Sequence, residues 1–200
     1  MLTLYHAPQT RSSRIVTLLK EMDAIDRVTI RNVSISRQDG SGGADSANPH
    51  PEGKVPVLDH DGAVIWESNA IALYLTDLFP DAGLGPAMGD PMRGPYLSWL
   101  AYYGNVIEPV MHFSFFGIDE PPLRRTFRGT DEMNARVSGA LQGRPFLLGE
   151  AYSAADLFVS SAYAFMPALL PEDGSLRAWS ERCQSRPALA WTAEFDAKQG

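Results

Sequence analysis

The chain opens on a short apolar run, Leu2 to Tyr5, ended by Ala7-Pro8, which predicts a buried strand. From Ser12 or Ser13 onward Ile15, Val16, Leu18, Leu19 and Met22 recur at helical spacing. Serine at the start and the acidic Asp23 and Asp26 near the end suit an amphipathic helix of about three turns. Alternation returns over Val28 to Ile35, where Val28, Ile30, Val33 and Ile35 mark a second strand with one break in the period. Gln38 to Asn48, rich in Gly, Ser and Asp, reads as a surface loop. Val55 to Leu58 and Val64 to Trp66 then frame Asp61-Gly62 as two strands of a tight hairpin. A helix from about Ser68 carries Ile71, Leu73, Tyr74, Leu75, Leu78 and Phe79 until Pro80 stops it. The order βαβ-ββα predicts an α/β domain over residues 1–80.

Between Pro80 and Pro95 the chain is dense in Gly and Pro, which places a linker at 81–95. Beyond it no strand pattern persists. Tyr96 to Met111, roughly Arg124 to Leu141, Ala154 to Met166 and Leu176 to Arg186 carry helical spacing, so residues 96–200 are expected to form an all-α domain.

Composition narrows the function classes. Two hundred residues with 44% hydrophobic and 20% charged residues fit a globular protein. A net charge of −7 argues against nucleic acid as a partner, because phosphate binding needs clustered Lys and Arg. Arg124, Arg125 and Arg128 make only a short, solvated basic spot. The single cysteine, Cys183, excludes an internal disulfide, a multi-cysteine metal site and Cys-x-x-Cys redox chemistry, and reads as a packing residue. No leader pattern precedes the first strand, and no apolar run approaches the ~18 residues of a membrane helix. The expectation is a cytoplasmic protein with no membrane partner.

Two segments carry the candidate chemistry. In Gly53-Lys54-Val55-Pro56-Val57-Leu58 the proline lacks a ladder donor, so it belongs at an edge or in a cis bond that turns Val55's backbone outward. In Glu67-Ser68-Asn69-Ala70-Ile71 a carboxylate and a hydroxyl stand at a helix start, where spare N–H groups favour an anion. Ser68 alone reads as an ordinary N-cap and Glu67 as a solvated charge. Lys54 adds a cation beside both, and the set suits a small, doubly charged peptide.

On these segments the chain resembles the cytosolic glutathione transferase family. The matching residues are His50-Pro51-Glu52-Gly53-Lys54-Val55-Pro56-Val57-Leu58, Glu67-Ser68-Asn69-Ala70-Ile71, and Leu147-Leu148-Gly149-Glu150 leading into Ser153-Ala154-Ala155-Asp156-Leu157. The resemblance implies a thioredoxin-like N-terminal domain, an all-helical C-terminal domain and a homodimer. It implies a cis Val55–Pro56 bond, with Val55 pairing to the cysteinyl part of glutathione. Glu67 and Ser68 then hold the γ-glutamyl end, while Lys54 and His50 lie toward the glycine end. Glutathione enters as a co-substrate, with no metal and no prosthetic group.

The group that activates the thiol is expected after the first strand, in His6-Ala7-Pro8-Gln9-Thr10-Arg11-Ser12-Ser13-Arg14. Counting back from Arg14, as in relatives with Ser-x-x-x-Arg, lands on Thr10, and counting by the helix start favours Ser12. Tyr5 is a third candidate, though its place in the strand suits the core. Arg11 either supports a thiolate or is simply solvated. The second substrate is expected against the helix from Tyr96, at Tyr102, Tyr103 and Val106, with Asn105 as a further polar candidate and His112 either satisfied or catalytic. The resulting reading is a transferase that joins the glutathione thiolate to a small apolar electrophile. The alternatives are a glutathione-binding protein without turnover, and a glutathione-dependent peroxidase or isomerase on the same fold.

Overall fold

A computed structural model describes residues 1–172 and 174–199. Two compact units divide the chain: Met1–Gly83 together with the stretch from Pro187 onward, and Leu84–Arg186. In the first unit four strands, β1 (Leu2–His6), β2 (Thr29–Asn32), β3 (Val57–His60) and β4 (Ala63–Trp66), form one sheet in the order β2-β1-β3-β4. β1 and β2 run parallel through the helix α1 (Ser13–Glu21), while β3 is antiparallel to both β1 and β4. The helix α2 (Ser68–Leu78) follows β4. Leu4, Val57 and Leu58 of the sheet are fully buried, as are Ile15, Leu18 and Leu19 of α1 and Ile71 and Leu75 of α2. Their burial supplies the main drive for this unit.

The predicted order of these elements holds, and the boundaries differ for local reasons. β2 is shorter than the Val28–Ile35 alternation implies. Its ladder ends at Asn32, and past it only the Val33 N–H bonds back to His6 O, at 2.9 Å. β3 begins at Val57 rather than Val55, because Pro56 has no N–H to give the ladder. The hairpin closes on Asp61 (φ 51°) and Gly62 (φ 89°), the two left-handed positions of a tight primed turn.

In the second unit α3 (Arg93–Tyr102) runs through a single π-helical turn, Tyr103–Ile107, into α4 (Glu108–Phe116). The helical path thus exceeds the predicted Tyr96–Met111 at both ends. Pro109 lacks the N–H that would continue α-type bonding, and the wider turn precedes it. The single helix predicted near Arg124–Leu141 is two, α5 (Pro121–Phe127) and α6 (Thr130–Ala140), separated at Arg128, whose φ is 62°, and Gly129. Next come α7 (Ala154–Phe165) and α8 (Ser175–Gln184). Tyr96, Ile107, Phe158, Tyr163 and Trp179 form the centre of this unit.

A last helix, α9 (Pro187–Ala197), lies where the sequence pattern predicts none. It packs on α1 within the first unit, so the compact helical unit ends at Arg186 rather than spanning all of 96–200. Ala188, Thr192 and Asp196 are buried at i, i+4 and i+8, one face of the helix. That face is small and polar, so it leaves no hydrophobic period. Pro187 was the available signal, as proline at a first helical position starts a helix as readily as it ends one.

Candidate functional site

Register brings the candidate segments together. Tyr5 pairs with Val57, and Val57 with Trp66, so the chain continues past all three at one end of the sheet. There His6-Ala7 leaves β1, Val55-Pro56 enters β3 and Glu67-Ser68 leaves β4. The Val55–Pro56 peptide bond is cis. Val55 packs with Ala7 and Val33 in a buried cluster, against which Tyr5 and Ile35 lie. The loop after β1 is thereby seated beside the residue that precedes the cis proline.

Ser68 is the first residue of α2, and Glu67 occupies the cap position with φ 69° and ψ 120°. This corrects the expectation of Ser68 as N-cap. Strand pairing runs through Trp66, so the chain must turn within one residue, and Glu67 takes the left-handed conformation that a non-glycine residue adopts at a cost. Glu67 makes no side-chain capping bond, and the first backbone bond of the helix runs from Ile71 N–H to Glu67 O at 3.0 Å. The N–H groups of Ser68, Asn69 and Ala70 therefore have no acceptor within the helix, which makes this end a natural anion seat. Glu67 itself is exposed.

Lys54 is exposed and its ammonium pairs with Glu52, whose carboxyl it holds below the usual carboxylate range. His50 is half-buried, accepts the Glu52 N–H at Nδ1 (3.0 Å) and meets Trp66 edge-on. Asn48 donates to Lys54 O at 3.1 Å, which fixes the loop that leads to Val55.

The loop from Ala7 to Ser13 is built on hydroxyl groups. Thr10 is half-buried, and its Oγ1 lies 2.7 Å from Ala7 O and 2.8 Å from Ser12 Oγ. Ser12 is fully buried: its Oγ accepts the Ala7 N–H (3.1 Å) and lies 2.7 Å from His6 Nδ1. Ser12 is thus turned inward, away from any position a ligand could reach directly, and Thr10 is the more open of the two hydroxyls. Counting by the helix start favoured Ser12, since α1 does begin at Ser13. Yet the Ser12 side chain makes no capping bond and spends its oxygen on the loop. Tyr5 packs its ring in the cluster described above, under the Arg31 guanidinium at 5.7 Å. Arg11 is exposed.

Two residues that the sequence pattern did not single out complete this corner. His6 is fully buried, and burial, opposed by the charge of Asp196, pulls its pKa below the ordinary value of 6.5. Its Nε2 lies 3.2 Å from Asp196 Oδ1. The other carboxylate oxygen, Oδ2, accepts the Gln9 N–H (2.7 Å) and the Ser13 hydroxyl (2.6 Å). Asp196 therefore clamps the loop from α9, and Thr17 donating to Thr192 at 2.9 Å secures the same helix pair one turn on.

The residues expected to meet a second substrate lie in the other unit. Tyr103 is buried, donates its hydroxyl to Glu108 Oε1 at 2.6 Å and packs edge-on to Phe158, which makes it a core residue. Tyr102 is half-buried beside Trp99 with Arg136 over its ring, and burial raises its phenol pKa. Val106 is half-buried in the π-helical turn and Asn105 is exposed. His112 Nδ1 lies 2.8 Å from Glu108 O, so its ring is held along its own helix. Among the described residues no group of three His, Cys, Asp or Glu could hold a metal, and no helix is long and apolar enough to cross a membrane.

Comparison with known proteins places this geometry. Residues 1–77 match the model of the glutathione S-transferase N-terminal domain. Glutathione S-transferase 2 of Schizosaccharomyces pombe is 29% identical over 98% of this chain and 96% of its own. A solved glutathione transferase from Methylococcus capsulatus str. Bath superposes with a TM-score of 0.77 at 27% identity, covering 99% of this chain and 100% of that one. A sphingomonad glutathione S-transferase solved in complex with glutathione shares the fold, with a TM-score of 0.75 at 23% identity over 98% of each chain. With a thioredoxin-like sheet, a cis Val55–Pro56 bond and an open α2 terminus at one end of it, followed by a helical unit, the chain carries a glutathione S-transferase N-terminal domain over residues 1–77 and is similar along its length to glutathione transferases.

Proposed function

We propose that the protein binds glutathione at this sheet end, favours its thiolate and joins that thiolate to a small apolar electrophile. The supporting observation is one convergence: the Val55–Pro56 edge, the bare N–H groups at the start of α2 and the Thr10 hydroxyl gather where β1, β3 and β4 meet. Val55 offers its backbone to the cysteinyl part of the peptide. Ser68 and its neighbouring N–H groups take the γ-glutamyl carboxylate, and Glu67 its ammonium. Lys54, once it leaves Glu52, and His50 take the glycine carboxylate. Thr10 donates to the sulfur, where a hydrogen bond lowers a thiol pKa from its usual ~8.5. Ser12 supports Thr10 from behind. The electrophile rests on apolar surface that includes Tyr102 and Val106. The working form is a cytoplasmic homodimer, which light scattering tests directly.

Calorimetry with glutathione, thiolate absorbance in the ultraviolet and conjugation assays across haloaromatics, epoxides and enones test the reading together. Thr10→Ala is expected to keep glutathione binding and to lower thiolate formation and turnover by roughly 10- to 100-fold, the scale of one lost hydrogen bond to a developing charge. Absence of glutathione binding overturns the proposal. Binding without conjugation leaves the non-catalytic glutathione binder, and turnover of peroxide or of an isomerisable substrate in place of conjugation leaves the peroxidase or isomerase.

A further inference from the structure

Behind Thr10 a line of close contacts runs into the protein: Thr10 Oγ1 to Ser12 Oγ (2.8 Å), Ser12 Oγ to His6 Nδ1 (2.7 Å), and His6 Nε2 to Asp196 Oδ1 (3.2 Å). His6 and Ser12 are fully buried and Asp196 is 4% exposed, so only the Thr10 end is open. His6 Nε2 and Asp196 Oδ1 approach at ion-pair distance without hydrogen-bond alignment, and neither atom has a hydrogen-bond partner among the described residues. The Thr10 and Ser12 hydroxyls of this line also hold the loop through the Ala7 backbone, and the other oxygen of Asp196 holds it through Gln9 and Ser13; the approach of His6 to Asp196 Oδ1 adds no bond to the loop.

The proton inventory gives the line a direction. A carboxylate 3.2 Å from Nε2 repels a lone pair there and favours a proton on that nitrogen, which leaves a neutral His6 with a bare Nδ1. The Ser12 hydroxyl then has two acceptors, His6 Nδ1 at 2.7 Å and Ala7 O at 3.0 Å; donating along the shorter contact to Nδ1, its oxygen accepts from the Ala7 N–H and faces Thr10 Oγ1. Thr10 in turn has its proton directed inward, toward Ser12 or the Ala7 carbonyl, accepts the Ser12 N–H at 3.2 Å and keeps one lone pair for a further donor. At rest the line is therefore set to receive a proton from outside.

We propose that the line Thr10–Ser12–His6 carries the proton of the bound glutathione thiol to His6 Nδ1, with Asp196 fixing His6 in the receptive tautomer. The proposal rests on Thr10 facing the sulfur, as in the function proposed above. The S–H bond breaks and its proton bonds to Thr10 Oγ1. The Thr10 proton passes to Ser12 Oγ and the Ser12 proton to Nδ1. The products are a thiolate and a histidinium flanked by Asp196. The reversed line now points a Thr10 O–H outward at the sulfur, which is the orientation that stabilises the anion. Burial disfavours the charged ring at rest, and two negative charges, Asp196 behind and the new thiolate in front, favour it after transfer. Besides Asp196, the groups facing His6 are the Ser12 hydroxyl and the Phe195 ring, so Asp196 is the one charged group set against the ring among those contacts. His6 and Asp196 are positioning residues in this scheme, since neither touches the substrate.

The test counts protons. Glutathione is titrated into the full chain near neutral pH in buffers of different ionisation enthalpy, which gives protons released per site, while ultraviolet absorbance gives thiolate formed per site. The expected result is thiolate well in excess of protons released, because the proton stays on His6. Asp196→Asn keeps an oxygen for Gln9 and Ser13 but turns an N–H₂ toward Nε2. That reverses the tautomer, closes Nδ1 and makes proton release equal to thiolate formed. Equal counts in the unmodified protein overturn the relay and leave glutathione activation standing. Absent binding or absent thiolate overturns both. An Asp196→Asn protein that folds and still retains the proton also overturns the relay, and if that variant does not fold, the count on the unmodified chain decides alone.

Discussion

Cys183 and Asp156 show how differently burial acts on single residues in this chain. The Cys183 thiol is fully buried, and desolvation, reinforced by the charge of Asp156, pushes its pKa up to about 12. A thiol held protonated and covered is not a nucleophile. We therefore expect no reaction with an aromatic disulfide reagent in the native state and one equivalent per chain after denaturation in guanidinium. Fast native labelling would contradict it. Thr10 and Ser12 make the complementary point. Both are hydroxyl residues two positions apart and equal candidates by counting, yet one is half-open and the other fully buried. The reason is that Ser12 sits at the helix entry, where its oxygen is drawn to the Ala7 N–H and the His6 ring. His6 itself carried no sequence signal, because a histidine ending an apolar strand differs in no pattern from any strand residue.

At the scale of elements, the start of α7 is closed by a reciprocal cap. Ser153 and Asp156 form a capping box, and the Asp156 carboxylate accepts four donors: Leu147 N–H (2.8 Å), Trp179 Nε1–H (2.9 Å), Ser153 N–H (3.0 Å) and the Ser153 hydroxyl (2.8 Å). Burial raises its pKa even so, and the four donors hold the shift in check. Removing this acceptor strands buried donors on three segments at once. Asp156→Ala is expected to lower stability by about 3 kcal/mol or more, read as the shift in a urea unfolding midpoint. A change under ~1 kcal/mol would show that water replaces the carboxylate at little cost. The capping box was legible as Ser-x-x-Asp before an apolar run. Its further partners, Leu147 and Trp179, were not, since they lie 9 and 23 residues away in sequence.

At the scale of the whole chain, the first unit is finished by its C-terminal end. α9 packs on α1 and delivers Thr192 and Asp196 to positions some 180 residues from their partners in sequence, as |i−j| of 175 for Thr17–Thr192 and 187 for Gln9–Asp196 shows. A chain ending at Arg186 loses the clamp on the loop and uncovers the buried face of α1. Its expected behaviour is a melting point lower by several degrees or failure to accumulate folded protein, with faster hydrogen exchange at the Gln9 and Ser13 amides. An unchanged melting point and unchanged protection would contradict that role for α9.

The sequence by itself determined the βαβ-ββα order, the hairpin turn and the resemblance to glutathione transferases, because each of these is written in local periodicity, in turn chemistry or in a contiguous motif. It left the end of β2, the split between α5 and α6, and all of α9 unread. Their signals were a shortened ladder, a single left-handed residue and a helix whose buried face is small and polar. Only the tertiary structure could decide which hydroxyl is open, and what stands behind it. His6, Ser12 and Asp196 meet through a strand, a loop and a terminal helix that no spacing rule connects, and burial and proton direction exist only once they have met.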